Sequence, residues 1–209
     1  MGKILSKSII YIVLIALSLL FLIPTYVIVV TSLKPFSEVS ISTMWQLPST
    51  IEFSSYLKAF DVLAPNFFNS VMLVIPATLL SALIGSLNGY VLSKWRFKGS
   101  ELVFGLLLFG MFIPYQSILI QTLQKAGLYN SMIGLIFTHT VYGIPITTLM
   151  FRNLYASIPT VMLEAAKVDG AGFLRIYRDI MVPLSITGFV VVAIWQFTNV
   201  WNEFLFGIT

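Results

Sequence analysis

The chain has 209 residues, 58% of them hydrophobic and only 10% charged, with a mean hydropathy of +0.95 and a formal net charge of +4. A soluble domain carries about a quarter charged residues, so this composition excludes an ordinary soluble fold. The absence of cysteine excludes a disulfide framework, a thiolate nucleophile and a Cys-ligated metal site, and one histidine cannot build a His-rich one.

Five charge-free apolar runs, at 9–31, 67–93, 102–124, 131–151 and 184–202, are long enough to cross a bilayer, which needs about 20 apolar residues. Lipid offers no partner to unpaired backbone groups, so each run is predicted to be helical. Barrel strands would alternate in short segments, which these solid runs do not. The first run follows Lys3 and Lys7, but it exceeds the ~7–15 residues of a signal-peptide core and is read as a retained anchor. One proline falls within each of the first four runs (Pro24, Pro76, Pro114 and Pro145), and each removes a helix hydrogen bond. Such prolines bend helices around a pathway or are ordinary membrane composition. Gly85 and Gly89 form a G-x-x-x-G pair suited to close helix packing.

The basic residues divide unequally between the connecting segments. Lys3, Lys7, Lys94, Arg96, Lys98, Arg152, Lys167, Arg175 and Arg178 fall on one side, against Lys34, Lys58 and Lys125 on the other. The positive-inside rule places the first set, and the N-terminus, in the cytoplasm. This accounts for the positive charge without nucleic acid. The outer segments are then 34–66 and 125–130. The fifth run leads outward, and a sixth span is expected beyond Thr209. The predicted fold class is an all-α polytopic transmembrane bundle with five spans present, the sixth missing, and a cytoplasmic loop at 152–183.

That loop is the most informative part of the chain. Pro159 stands at the start of a short predicted helix, and Gly170 ends or turns it. Phe173, Ile176, Tyr177 and Ile180 then recur at helical spacing, and Pro183 opens the fifth span. Ala165 and Ala166 leave room for another backbone, while Glu164 and Asp169 offer charges. A helix lying on lipid favours a basic polar face. Here Glu164, Asp169 and Asp179 alternate with Lys167, Arg175 and Arg178, which suits a protein partner better.

The run Glu164-Ala165-Ala166, three residues, Gly170, nine residues, Ile180, two residues and Pro183 resembles the EAA loop of ATP-binding-cassette importer permeases. Val182 stands where that pattern usually has leucine. Asp169-Gly170-Ala171, Tyr90 ahead of Lys94, Phe97-Lys98-Gly99, Met111 with Pro114, and Trp201-Asn202 before Phe204 resemble the carbohydrate-importing subgroup, and within it the maltose-permease G type. Thr31-Ser32-Leu33-Lys34, Leu47-Pro48 and Tyr56 agree. The resemblance implies that Glu164, Ala165, Ala166, Asp169, Gly170, Ile180 and Pro183 dock a cytoplasmic ATPase subunit. It also implies a second permease subunit, an extracytoplasmic solute-binding protein, no cofactor on this chain, and ATP with magnesium on the ATPase.

Gln196, Asn199 and Glu203 share one face of the fifth run, with Trp195, Asn199 and Asn202 as a neighbouring stripe. Amides bond sugar hydroxyls and an indole stacks on C–H faces, so Trp195, Gln196, Asn199 and Asn202 are the candidate substrate-pathway residues. Bonding between helices is the competing role for the amides. Gln116, Asn88 and His139 are weaker candidates, His139 more as a buried histidine bonded to a neighbour. No phosphate-binding G-x-x-x-x-G-K-[ST] run and no His-Glu-x-x-His occurs. His139 lacks a G-x-S-x-G-like partner context. An intramembrane enzyme is thus disfavoured. A secondary transporter or channel is the alternative, and the spans carry no charge for a proton relay.

Overall fold

The computed structural model describes the backbone of residues 2–112 and 116–203 and the side chains of residues 7–112 and 119–203. Pro114, the Gln116 side chain and Phe204 lie outside the described residues. Most of the described residues are helical, and none is in a strand. The chain divides into two compact units, Met1–Phe67 and Phe68–Thr209.

The first unit opens with α1 (Gly2–Ser32), apolar on all sides and exposed along nearly its whole length. An all-round apolar helix is what lipid or a partner helix accepts. Two single 3₁₀ turns follow, Phe36–Glu38 and Ile41–Thr43. Side chains tie the segment to its neighbours. Tyr26 donates to the Trp45 carbonyl at 3.0 Å, and Ser32 and Tyr56 share a hydrogen bond of 2.6 Å. Lys34 is buried, its ammonium donating to the Thr43 carbonyl at 2.5 Å.

Helix α2 (Ser54–Lys94) has 41 residues, about twice what a bilayer requires. It starts at Ser54 rather than at 67, because apolar residues continue upstream through Tyr56, Leu57, Phe60 and Leu63. In the second unit come α3 (Ser100–Phe109), a 3₁₀ turn at Gly110–Phe112, α4 (Gln116–Lys125) and α5 (Met132–Ala156). Then follow α6 (Thr160–Val168), α7 (Phe173–Ile176), a π-helical segment Tyr177–Met181, α8 (Val182–Leu184) and α9 (Ile186–Trp201).

Among the described residues three helices are individually long and apolar enough to cross a membrane: α1, α2 and α5. A fourth crossing is possible if Phe173–Leu184 and Ile186–Trp201, bent by 78°, count together. Helix α9 opens at Ile186, after Ser185. Pro183 lacks an N–H, so it leaves a carbonyl of the preceding turn, in Tyr177–Met181, without its helical partner.

Small residues bring α2 and α5 together. A Cβ on Gly85 would lie 2.1 Å from Thr147 Oγ1, and one on Gly89 2.7 Å from the Arg152 nitrogen. The G-x-x-x-G pair is therefore a helix contact, the arrangement by which membrane helices gain dispersion energy without a hydrophobic drive. Thr147 donates to the Ser81 carbonyl of α2 at 2.9 Å. Thr138 and Thr140 instead bond carbonyls one turn back, which lets α5 bury hydroxyls among apolar neighbours. The main core of this unit is Ala82 and Tyr90 of α2, Phe151 and Tyr155 of α5, Leu163, Ile176, Met181 and Val192. It lies where the 157–185 segment meets the ends of the long helices.

Candidate functional site

The docking loop grows out of α5 through a capped turn. Ser157 donates to the Leu154 carbonyl, and Pro159 stands as the N-cap of α6. The helix ends in a Schellman arrangement: the Ala171 N–H bonds the Ala166 carbonyl and the Gly170 N–H bonds the Lys167 carbonyl. The left-handed residue this motif requires is Gly170, at φ +77°.

Contacts with α2 and its C-terminal end hold the loop. Lys94 donates to the Ile158 carbonyl. The Lys167 ammonium lies 4.1 Å above the Trp95 ring, a cation–π contact. Tyr90 packs on Phe173 at 4.9 Å and on Tyr177 at 5.4 Å, and Trp95 meets Phe173 edge-on at 5.3 Å. Nearby, Arg152 pairs with Glu101 at 2.6 Å while its guanidinium covers the Phe104 ring at 3.9 Å. Lys94, Arg152 and Lys167, grouped on one side by the charge count, thus meet at one end of the helices.

The predicted docking residues are differently exposed. Glu164, Ala165, Asp169, Gly170 and Pro183 are exposed, and Ala166 is half-buried. Glu164 and Asp169 form no ion pair among the described residues. Asp179, by contrast, pairs with Arg178 at 2.7 Å and Arg175 at 3.7 Å. The Arg178 hydrogen bond holds the Asp179 carboxyl below its ordinary value. Ile180 is half-buried against the core, as are Phe173 and Tyr177, so the predicted apolar face points inward. What remains outward is a knob on which the apolar Val161, Met162, Val168 and Leu174 are exposed beside the small Ala165 and Gly170 and two acids without ion pairs among the described residues.

A second feature lies between α5 and α9. A cavity of about 210 Å³ is lined by His139, Tyr142, Trp195, Gln196, Asn199 and Glu203, with Met111 at its edge. Gln196 is only 3% exposed and donates its amide to the His139 carbonyl at 3.2 Å. Asn199 donates to the Trp195 carbonyl of its own helix at 2.8 Å. His139 Nε2 stands 3.8 Å from Glu203 Oε2. Three of the four candidate pathway residues therefore meet at one cavity. Asn202 does not line it, being exposed at the C-cap of α9. The approach of His139 of α5 to Glu203, just past the end of α9, joins residues far apart in the chain, and no local pattern signals it.

Residues 75–209 match the family model described as binding-protein-dependent transport system inner membrane component. A probable ABC transporter permease protein of Pyrococcus horikoshii is 43% identical over 207 residues, covering 97% of this chain and 75% of the relative. The xylose/arabinose import permease protein XacI of Haloferax volcanii is 34% identical over 212 residues, covering 90% and 69%. The glucose import system permease protein GlcU of Saccharolobus solfataricus is 31% identical over 214 residues, covering 98% and 75%. Among solved structures, a bacterial ABC transporter that imports the acidic polysaccharide alginate superimposes with a TM-score of 0.86. It is 20% identical, covering 97% of this chain and 72% of that one, and it supports the same fold.

Proposed function

We propose a function from the premise that this chain belongs to the family of binding-protein-dependent transport system inner membrane components, the permease subunits of ATP-binding-cassette importers. The family is one of permeases rather than enzymes. On our reading the cargo is a sugar or oligosaccharide, as in the relatives named for xylose/arabinose and glucose import. ATP with magnesium is bound and hydrolysed on cytoplasmic ATPase subunits. A second permease subunit completes the pathway, and an extracytoplasmic binding protein delivers the solute. The N-terminus lies in the cytoplasm, the chain crosses the membrane several times, and the 152–183 segment faces the ATPase.

The observation that carries this reading is the form of the loop. Its Leu163, Phe173, Ile176, Tyr177 and Ile180 side chains pack into or onto the core while Val161, Met162, Val168 and Leu174 stay exposed, its α6 terminus is fixed by the Gly170 turn, and Glu164 and Asp169 project without ion-pair partners among the described residues. A knob of this kind can push as well as bind. Closure of the ATPase pair displaces α6, and the clamps at Lys94, Trp95 and Tyr90 pass the displacement to the membrane helices. The cavity at Trp195, Gln196 and Asn199 is the part of the pathway contributed by this subunit. Its amides and indole suit hydroxyl-rich cargo, while Gln196 also fixes the helix contact.

The test is co-purification in mild detergent from cells producing the whole transporter, followed by ATP-driven uptake in proteoliposomes. Glu164→Lys and Gly170→Val are expected to lose the ATPase subunits while keeping the second permease. Retention of the ATPase and normal uptake in both variants would overturn the docking reading. Uptake independent of ATP in the wild type would instead favour a secondary transporter.

A further inference from the structure

Three buried or half-buried hydroxyls, those of Tyr177, Ser86 and Tyr155, form a hydrogen-bonded relay at the root of the docking loop, and a fourth, that of Ser185, stands beside it. Tyr177 of the π segment lies 2.9 Å from Ser86 of α2, and Ser86 lies 2.5 Å from Tyr155 of α5. Tyr155 lies 3.4 Å from the hydroxyl of Ser185, the residue at the 78° bend that opens α9. Ser86 and Tyr155 are fully buried and Ser185 is 1% exposed. The relay and Ser185 thus bring together one residue from each of the elements the loop must move: α2, α5, the loop itself and the entry to α9.

The backbone around it is unusual in a way that depends on the same side chains. Tyr177–Met181 winds as a π-helix, a rare form found mostly as single turns at functional sites. At the bend, the Ser185 N–H goes to the Val182 carbonyl, and the Ser185 hydroxyl takes the Met181 carbonyl at 2.6 Å. The hydroxyl therefore stands in for the helix bond that the bend has removed. Around the relay are Tyr90, Phe151, Ile176 and Met181, all buried, so a hydroxyl that loses its partner finds no water there. Sliding of the loop against α2 or α5 would break a link of the relay.

We propose that the Tyr177–Ser86–Tyr155 relay, with Ser185 packed beside it, is the joint that makes the docking loop and the adjoining parts of α2, α5 and α9 move as one body. Tyr177 and Ser86 are positioning residues for transport. They touch neither the docking surface nor the polar cavity, and act by keeping the distance between loop and span fixed while the ATPase moves both. This rests on the docking reading only for the origin of the force.

The chain has no cysteine, so labels can be placed without background from it. Val168→Cys in α6 and Val190→Cys in α9 put spin labels on two exposed positions, 88% and 52% exposed. Pulsed dipolar spectroscopy on the whole transporter in nanodiscs then reads the loop-to-α9 distance, without nucleotide and after trapping with ATP and vanadate. The wild type is expected to give a narrow distribution that does not shift on trapping. Tyr177→Phe keeps the ring packing but removes the link, and is expected to broaden the distribution about twofold and let it shift on trapping. Ser86→Ala removes that link and the one to Tyr155 and should broaden it at least as much, and the double variant no more than Ser86→Ala, since the Tyr177 link is already gone. Tyr11→Phe, on an exposed face of α1, serves as the control. A merely structural hydroxyl would lower yield or melting temperature and leave the nucleotide-dependent shift at zero. Wild-type widths with no shift in both Tyr177→Phe and Ser86→Ala would overturn the proposal. If either variant fails to insert, the other decides. Failure of the ATPase to co-purify would count against docking, while the nucleotide-free widths would still decide the relay.

Discussion

Gln196 of α9 is bonded to the His139 carbonyl of α5 at 3.2 Å, and it occupies the space a Cβ on Gly143 would fill, its Nε2 being 2.3 Å from that position. The residue thus serves the helix contact first and the cavity second. Asn199, three positions on, bonds within α9 and to no other element among the described residues. The two amides should therefore separate in experiment. Gln196→Ala is expected to lower thermal stability in detergent by about 0.5–2 kcal/mol. Asn199→Ala should leave the melting curve unchanged and raise the KM for uptake. Equal stability losses at both positions would remove the distinction.

The α2–α5 contact is set by backbone proximity, which leaves no room at Gly85. Gly85→Ala is expected to force α2 from Thr147 and to cost about 1–3 kcal/mol, as overpacking does. Gly105→Ala, in a helix where a Cβ would meet nothing within 4 Å, is the matched control. Melting of the two purified variants, followed by size-exclusion fluorescence, checks this. A Gly85→Ala protein as stable as the control would contradict the packing account.

At Gly170 the constraint is conformational and not spatial. A Cβ there would meet nothing within 4 Å, yet the backbone sits at φ +77°. Gly170→Ala is expected to cost the turn about 1–2 kcal/mol while leaving the chain in the membrane. Gly170→Asn, which tolerates the left-handed region, should cost less. If docking depends on this turn, retention of the ATPase subunit in pull-downs should fall in the order Gly, Asn, Ala, Val. An order set by side-chain size alone would point to steric blocking at the partner surface.

In the segment after α1, the Ser49 hydroxyl and amide both donate to Glu38 and hold its carboxyl below the ordinary glutamate value. Because the folded value is depressed, ionised Glu38 supports this segment fully above about pH 4.3 and the support is lost as pH falls below that. A spin label at Ile41→Cys, a position 88% exposed, should gain mobility between pH 6 and pH 3. Glu38→Gln should flatten that response. An unchanged pH profile in Glu38→Gln would assign the transition to another group.

Much of this was legible along the chain. Solid apolar runs dictate membrane helices because lipid cannot satisfy a bare backbone, and Pro159, Gly170 and the 173–180 periodicity locate two short helices with a turn between them. These are local rules, acting over a few residues. Local signals also explain where the reading fell short. Apolar residues upstream of 67 carry α2 back to Ser54.

What only the tertiary structure decided spans long separations. Ser86 and Tyr177 are 91 positions apart, and Gln196 and His139 are 57 apart. Serine, tyrosine and glutamine carry no periodic signature that says whether they will face lipid, a cavity or one another. Their roles follow from which helices pack together, and that is set by the close approach at Gly85, Gly89 and Gly143. The sequence by itself therefore determined the membrane class, the loop and its turn. The fold decided that Gln196 is a fastener, that Asn202 lies away from the cavity, and that the hydroxyls of Tyr177, Ser86 and Tyr155 join beside the bend, because a buried polar group must find its partner in space.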